Sequence, residues 1–201
     1  MLRTQVVQRL REVKGSTLAV TSPRAGEGKT LISCNLAVSL ARLTDLGVLL
    51  VDLDLRRPSV LSTFGFAPTN GISDHLLRGV PLADCFVDPG IDRLLVLPGG
   101  AASPKSSELL SPVLMSKLTA ELVDRHADRI IVYDLPPVLM IADALVFLEH
   151  VDACLLVVEQ GRTRREDVTR CLELLEKINV IGTVLNKTRA ATQTYGYGYG
   201  Y

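Results

Sequence analysis

The segment Ser22-Pro23-Arg24-Ala25-Gly26-Glu27-Gly28-Lys29-Thr30 carries the most distinctive chemistry in the chain. Small residues at 25, 26 and 28 let successive backbone N–H groups turn inward around phosphate oxygens, and a helix opening there adds the partial positive charge of its N-terminus. Lys29 is placed to neutralise the outer phosphates of a bound ATP, and the Thr30 hydroxyl to ligate Mg²⁺. The backbone from Ala25 through Gly26, Glu27, Gly28, Lys29 and Thr30 to Leu31 is the expected cradle. The strict pattern G-x-x-x-x-G-K-[ST] is not met, because Pro23 stands where its first glycine belongs. A variant, K-G-G-x-G-K-[ST], fits better, with Arg24 for its first lysine and Ala25 for its first glycine. A plain glycine-rich turn is the alternative; the strand before and the helix after disfavour it.

Two acidic strand ends complete a candidate site. One apolar run closes as Val51-Asp52-Leu53-Asp54-Leu55-Arg56-Arg57-Pro58, another as Val132-Tyr133-Asp134-Leu135-Pro136-Pro137. A carboxylate directly after a buried strand, beside a phosphate loop, is the hard oxygen ligand that Mg²⁺ and its waters require. Asp134 fits that place. Asp52 and Asp54, two apart, share a face if the strand continues, so one can accept a proton while the other holds the metal's water shell. Arg56 is a candidate phosphate clamp, with a solvated turn as the plainer reading. Turn and cap roles are the ordinary fate of such aspartates, but three of them on two strands beside one loop point to a site.

The chain ends Tyr195-Gly196-Tyr197-Gly198-Tyr199-Gly200-Tyr201, which places four of its five tyrosines in the last seven residues. A sticky low-complexity tail or a strand that pairs with another chain would explain the alternation alone. Next to a magnesium and ATP site, accessible tyrosines on a glycine leash become phosphoryl acceptors. The fifteen residues from Asn186 to Tyr201 span roughly 50 Å when extended at about 3.3 Å each, enough for a tail to reach its own site or a neighbour's.

These groups meet only if a sheet brings them to one edge. Strands are expected at 17–21, 48–52, 94–97, 130–134, 154–159 and 181–186, most of them nearly continuous in apolar residues, as for strands covered on both faces. Helical patterns fall at 30–43, 106–124 and 165–178, and residues 1–13 add an amphipathic one through Leu2, Val6, Leu10 and Val13. Such alternation predicts an α/β fold, a mostly parallel sheet with helices on both faces and ligands outside the carboxyl ends of its strands. Residues 1–187 form the expected domain and 188–201 a flexible tail without a core pattern.

Composition excludes several classes. Twenty-two Lys and Arg balance 22 Asp and Glu, so no basic surface argues for nucleic acid. Cys34, Cys85, Cys154 and Cys171 are scattered without metal or disulfide spacing, and His75, His126 and His150 show no triad. No apolar run approaches the roughly 20 residues that span a bilayer, and early arginines interrupt any secretory segment. A cytoplasmic protein is expected.

Taken together, the variant loop, Asp52-x-Asp54-x-Arg56-x-Pro58, Asp134-x-Pro136-Pro137 and the tyrosine cluster resemble the bacterial protein tyrosine kinases of capsule and exopolysaccharide synthesis, autokinases of the deviant Walker A lineage of P-loop NTPases. Weaker matches are Leu97-Pro98-Gly99-Gly100, Ser107-Glu108-Leu109-Leu110, Asp143-Ala144 and Gly182-Thr183-Val184-Leu185-Asn186. The resemblance implies that Lys29 and Thr30 hold ATP and Mg²⁺, that Asp54 and Asp134 complete the metal site, and that Asp52 activates the tyrosine hydroxyl. It places Asn186 at the adenine and makes Tyr195, Tyr197, Tyr199 and Tyr201 the acceptors. It further implies a ring-type homo-oligomer in which each tail is presented to the neighbouring subunit. A membrane-embedded co-polymerase segment would act as activator in cis or in trans, tethering the kinase at the inner membrane face, and a tyrosine phosphatase would reverse the reaction. Of the family's E-x-x-R-x-x-R stretch only the last arginine is matched, by Arg3, so a stand-alone kinase and a domain of a larger membrane protein both fit. Two rival readings are a partitioning or cell-division type switch ATPase and a nucleotide-binding regulatory module without kinase activity.

Overall fold

The computed structural model describes residues 2–43, 46–103 and 109–188. Helix α1 spans Leu2–Glu12; β1 is Thr17–Thr21, α2 Lys29–Ala41, β2 Gly47–Asp52, α3 Val60–Thr63 and α4 Ile72–Arg78. A 3₁₀ turn at Leu82–Cys85 leads to β3, Leu94–Leu97. Then come α5 Pro112–Arg125, β4 Arg129–Asp134, α6 Ala142–Leu148, β5 Ala153–Glu159, α7 Arg165–Leu174 and β6 Val180–Asn186. Among the described residues the six strands form one sheet in the order β3-β2-β4-β1-β5-β6, every pair parallel.

Side chains alternate across the sheet and so feed two cores. Leu18, Val20, Val48, Leu50 and Val132 point to the face covered by Val6 and Leu10 of α1, Leu36, Ala37 and Leu40 of α2, and Val60 of α3. Ala19, Leu49, Val51, Ile131 and Tyr133 point to the other, covered by Ile72 of α4, Met115, Leu118 and Leu122 of α5, Phe147 of α6 and Cys171 of α7. Four of the inner strands carry no exposed residue at all, as the continuous apolar runs predict. Edge strand β6 differs: Thr183 and Leu185 are exposed, and β5 is its one strand neighbour.

The helices expected at 30–43 and 165–178 end earlier, at Ala41 and Leu174, and the pattern at 106–124 is helical from Pro112, with residues 104–108 outside the described ones. Short helices α3, α4 and α6 carry too few turns to register as a period. Winding reverses after β3, so the carboxyl ends of β2, β4 and β1 stand side by side where a doubly wound sheet binds its ligand. Tyr133 anchors that edge, fully buried with its ring 4.9 Å from that of Phe147. At the other edge Asp152 accepts the N–H groups of Ser16 and Thr17, both at 2.9 Å, tying β1 to β5.

Candidate active site

The loop after β1 turns on two glycines in the left-handed region, Gly26 at φ 85° and Gly28 at φ 93°. Gly28 caps α2 with no side-chain hydrogen bond, which leaves first-turn N–H groups aimed at the loop's hollow. A Cβ on Gly28 would overlap the Asn186 amide nitrogen, so glycine is required there twice over. Glu27, only 2% exposed, holds the loop from behind: its carboxylate accepts the Arg24 N–H at 3.0 Å and the Thr163 hydroxyl at 2.5 Å. Asn186 Nδ2 donates to the Glu27 carbonyl at 2.9 Å and Lys187 Nζ to the Gly26 carbonyl at 2.7 Å.

β2 and β4 run in register with Asp52 beside Asp134, so the acidic strand ends meet at the loop. The Lys29 ammonium lies 2.9 Å from Asp54 Oδ2 and 3.4 Å from Asp134 Oδ2. Asp134 is fully buried and accepts the hydroxyls of Thr30 at 2.7 Å and Ser33 at 3.1 Å. Ser59 Oγ stands 3.3 Å from Thr30 Oγ1. Burial pulls the Lys29 pKa down, but the charges of Asp134 and Asp54 outweigh it and hold the ammonium above its ordinary value. Burial raises Asp134, against the pull of Lys29, Thr30 and Ser33.

Asp52 is 1% exposed, and both its oxygens are engaged. Oδ1 accepts the Asp54 N–H at 3.1 Å; Oδ2 accepts those of Ser59 and Val60 at 2.8 and 3.0 Å, which orders the turn into α3. Burial, with the neighbouring Asp134 charge, pushes its pKa up to about 7. Asp52 therefore combines the cap role open to any such aspartate with a proton affinity suited to neutral pH.

A cleft of about 340 Å³ opens over Lys29, Thr30 and Asp54, lined also by Ala25, Gly26, Gly28, Arg57, Ser59 and Pro137, while Asp52 lines a separate cleft of about 300 Å³ with Pro58, Leu61 and Pro98. Arg56 and Leu31, each next in sequence to a residue lining the first cleft, are exposed. Among the described residues no three His, Cys, Asp or Glu side chains form a ready metal cluster. Mg²⁺ asks less of a protein, typically one or two carboxylates beside phosphate oxygens and waters. Asp54 and Asp134 with the Thr30 hydroxyl are such a set, already arranged around one cation, the Lys29 ammonium. Tyr195, Tyr197, Tyr199 and Tyr201 lie outside the described residues, as do Ser107, Glu108 and the side chain of Asp143.

The structure brings Lys29, Thr30, Asp52, Asp54, Asp134 and Asn186 to one edge. Sequence reasoning missed Ser33, Ser59, Thr163 and Asp167, which reach the site or its loop; lone hydroxyls and a helical aspartate carry no spacing signal, and only the fold reveals them. Among the described residues no helix is long and apolar enough to cross a membrane.

A family model, the CobQ/CobB/MinD/ParA nucleotide binding domain, matches residues 18–195. Tyrosine-protein kinase CpsD of Streptococcus agalactiae is 35% identical over 187 residues, 92% of this chain and 80% of that protein. Tyrosine-protein kinase YwqD of Bacillus subtilis (strain 168) is 32% identical, over 90% of this chain and 76% of the other. The kinase domain of Escherichia coli tyrosine kinase ETK shares the architecture at a TM-score of 0.85 and 31% identity, covering 100% of this chain and 78% of that one.

Proposed function

The chain belongs to the CobQ/CobB/MinD/ParA nucleotide-binding family and, within it, to the bacterial tyrosine-protein kinases, and from that premise we propose that it phosphorylates its own tail tyrosines and thereby regulates capsule or exopolysaccharide synthesis and export. Its nucleotide is ATP. The observation that carries this reading is the meeting of a buried ammonium, Lys29, with the Thr30 hydroxyl and the carboxylates of Asp52, Asp54 and Asp134 at one sheet edge.

Loop N–H groups from Ala25 to Leu31 hold the phosphates, and the Lys29 ammonium turns from Asp54 toward the outer ones. Thr30, Asp54 and Asp134 would hold Mg²⁺, which when bound would neutralise charge at the phosphates. Asn186 contacts the adenine, and Arg56 steadies phosphate at the rim. Asp52 accepts the phenolic proton as the tyrosine oxygen bonds to the γ-phosphorus; the bond from that phosphorus to the β,γ-bridging oxygen breaks, and loop donors receive the charge on ADP.

Ring assembly, with each tail offered to the next subunit, raises the effective acceptor concentration. A membrane-embedded activator would tether the kinase at the inner membrane face, and a phosphatase would reset it. Arg24 speaks against a switch ATPase in which that position reaches a second copy's nucleotide, because its guanidinium is bound bidentately by Asp167 of its own chain.

Incubation with Mg²⁺ and ATP, followed by intact mass measurement, tests the reading. Mass gains of whole phosphoryl groups that vanish on truncation after Thr194 support it; ADP release with no gain in protein mass overturns it.

A further inference from the structure

Two side chains of the phosphate loop are engaged outside its hollow. Glu27 occupies the position the motif leaves open, and Arg24 stands at the loop's start, yet Glu27 turns toward the segment that joins β5 to α7 and Arg24 toward the first turn of α7. Glu27 Oε1 accepts the Thr163 hydroxyl, and the same Thr163 oxygen accepts the Glu159 N–H at 2.8 Å, so it is bonded on two sides. Arg24 Nε and Nη2 meet the Asp167 carboxylate oxygens at 2.7 and 2.8 Å, the fork geometry only a guanidinium provides. The hydrogen bond from Arg24 holds the Asp167 carboxyl below its ordinary range. Ser22 Oγ donates to the Arg24 carbonyl at 2.8 Å, and the Glu27 carboxylate takes the Arg24 N–H, so the backbone from which the guanidinium springs is itself pinned.

A glycine-rich loop has many backbone conformations, and only one aims its N–H groups inward. Something outside it must select that one. We propose that Thr163 and Asp167 are positioning residues for nucleotide binding, acting through Glu27 and Arg24 as a splint from the α7 segment to the phosphate loop of the same chain. The inference rests on the loop being the nucleotide cradle, but not on tyrosine being the acceptor. It assigns Arg24 a partner within its own subunit, where it sets loop shape and does not reach a neighbour's phosphates.

A double-mutant cycle on Arg24→Gln and Asp167→Asn tests this, read by the anisotropy of a fluorescent ATP analogue at protein concentrations where the chain is monomeric. Each single change should weaken binding about three- to tenfold, and the double variant no more than the worse single, since the two side chains act as one unit. In steady-state transfer KM for ATP should rise with kcat nearly unchanged. Thr163→Val should weaken binding similarly, and Thr163→Ser, which keeps the hydroxyl, should restore it, with thermal midpoints within a few degrees of the parent. Additive losses, an Asp167→Asn variant that binds like the parent, or failure of serine to rescue position 163 would overturn the proposal. Nucleotide binding without phosphotransfer would refute the kinase reading and leave the splint standing, because the binding readout needs no acceptor.

Discussion

Lys29 Nζ and Asp54 Oδ2 lie 2.9 Å apart with each side chain about nine-tenths buried, so the cation proposed to serve a nucleotide's phosphates already has a carboxylate partner. On that proposal nucleotide binding exchanges one ion pair for another. Replacing Lys29 by methionine removes both the phosphate partner and the compensating charge for Asp54 and Asp134. Breaking a buried pair on one side typically costs about 3–5 kcal/mol, because a charge is stranded. Asp134 already sits above its ordinary pKa through burial, so acid relieves the strain by protonation. Lys29→Met should lose all phosphoryl mass gain, and its thermal midpoint should fall below the parent's at pH 8 by more than at pH 5.5. Equal gaps at the two pH values would show that the stranded carboxylates are not the cause.

Asp52 has a structural task in its backbone contacts and a proposed chemical one as base, and a substitution separates them. In Asp52→Asn one oxygen still accepts, but the new NH₂ faces backbone N–H groups of Asp54 or of Ser59 and Val60, a local cost of about 1–3 kcal/mol. Loss of a general base costs transfer roughly 10²–10⁴-fold. Transfer should fall by that order while nucleotide affinity changes only severalfold, measured by single-turnover phosphorylation and by titration. Unchanged transfer would remove Asp52 from the role of base.

The raised Asp52 pKa also sets how the metal-free protein responds to pH. Its ordinary value is 3.8 and its folded value about 7, so between them the folded state binds more protons than the unfolded one. Stability must then decrease as pH rises through that window and level off above it. Asp134, shifted in the same direction, adds to the slope. Thermal melts in chelator should therefore show a midpoint several degrees lower at pH 8 than at pH 5.5. Asp52→Asn should flatten the curve; a slope unchanged in that variant would assign the titration elsewhere.

Much of this architecture could be read from residue pattern, for identifiable reasons. The inner strands lie between two helix layers, so their runs from Thr17, Val48, Ile130 and Cys154 are nearly continuous in apolar residues and end where a carboxylate or loop begins. Lys29, Thr30, Asp52, Asp54 and Asp134 were legible because each sits at a fixed offset from such an end. Ser33, Ser59, Thr163 and Asp167 were not. Ser33 looks like any small helical residue until β4 places Asp134 3.1 Å away, and Asp167 like a helix-start acid until Arg24 arrives from 143 positions back. The one-turn helix Val60–Thr63 owes its start to the Asp52 carboxylate, a contact that no periodicity encodes.

Gly28 offers a sharp test of how tightly the tail's root is joined to the cradle. At φ 93° an alanine is strained, and its Cβ would collide with Asn186 Nδ2, which now donates to the Glu27 carbonyl. Gly28→Ala must displace β6's last residue or reshape the loop. Nucleotide affinity should fall by tenfold or more, whereas Gly79→Ala, also at positive φ but with open space around its Cβ, should cost stability alone. Similar affinity losses in the two variants would mean that global strain and not the Asn186 contact is being read.

Charge on the tail supplies the last prediction. The chain as synthesised is electrically balanced, 22 basic against 22 acidic residues. Each phosphotyrosine adds about −1.5 to −2 charges at neutral pH, so four of them bring about −6 to −8 onto the final seven residues. An association in which one subunit's tail lies at another's site gathers those charges around a ring, where they repel one another and the acidic strand ends carrying Asp52, Asp54 and Asp134. Unphosphorylated protein should therefore associate at micromolar concentration, and fully phosphorylated protein should scatter light as a monomer. Salt should restore association of the phosphorylated form, because screening shortens the reach of exposed charges to about 10 Å near 0.1 M. Phosphorylated protein that stays as large as the unmodified form at low salt would show that tail charge does not govern assembly.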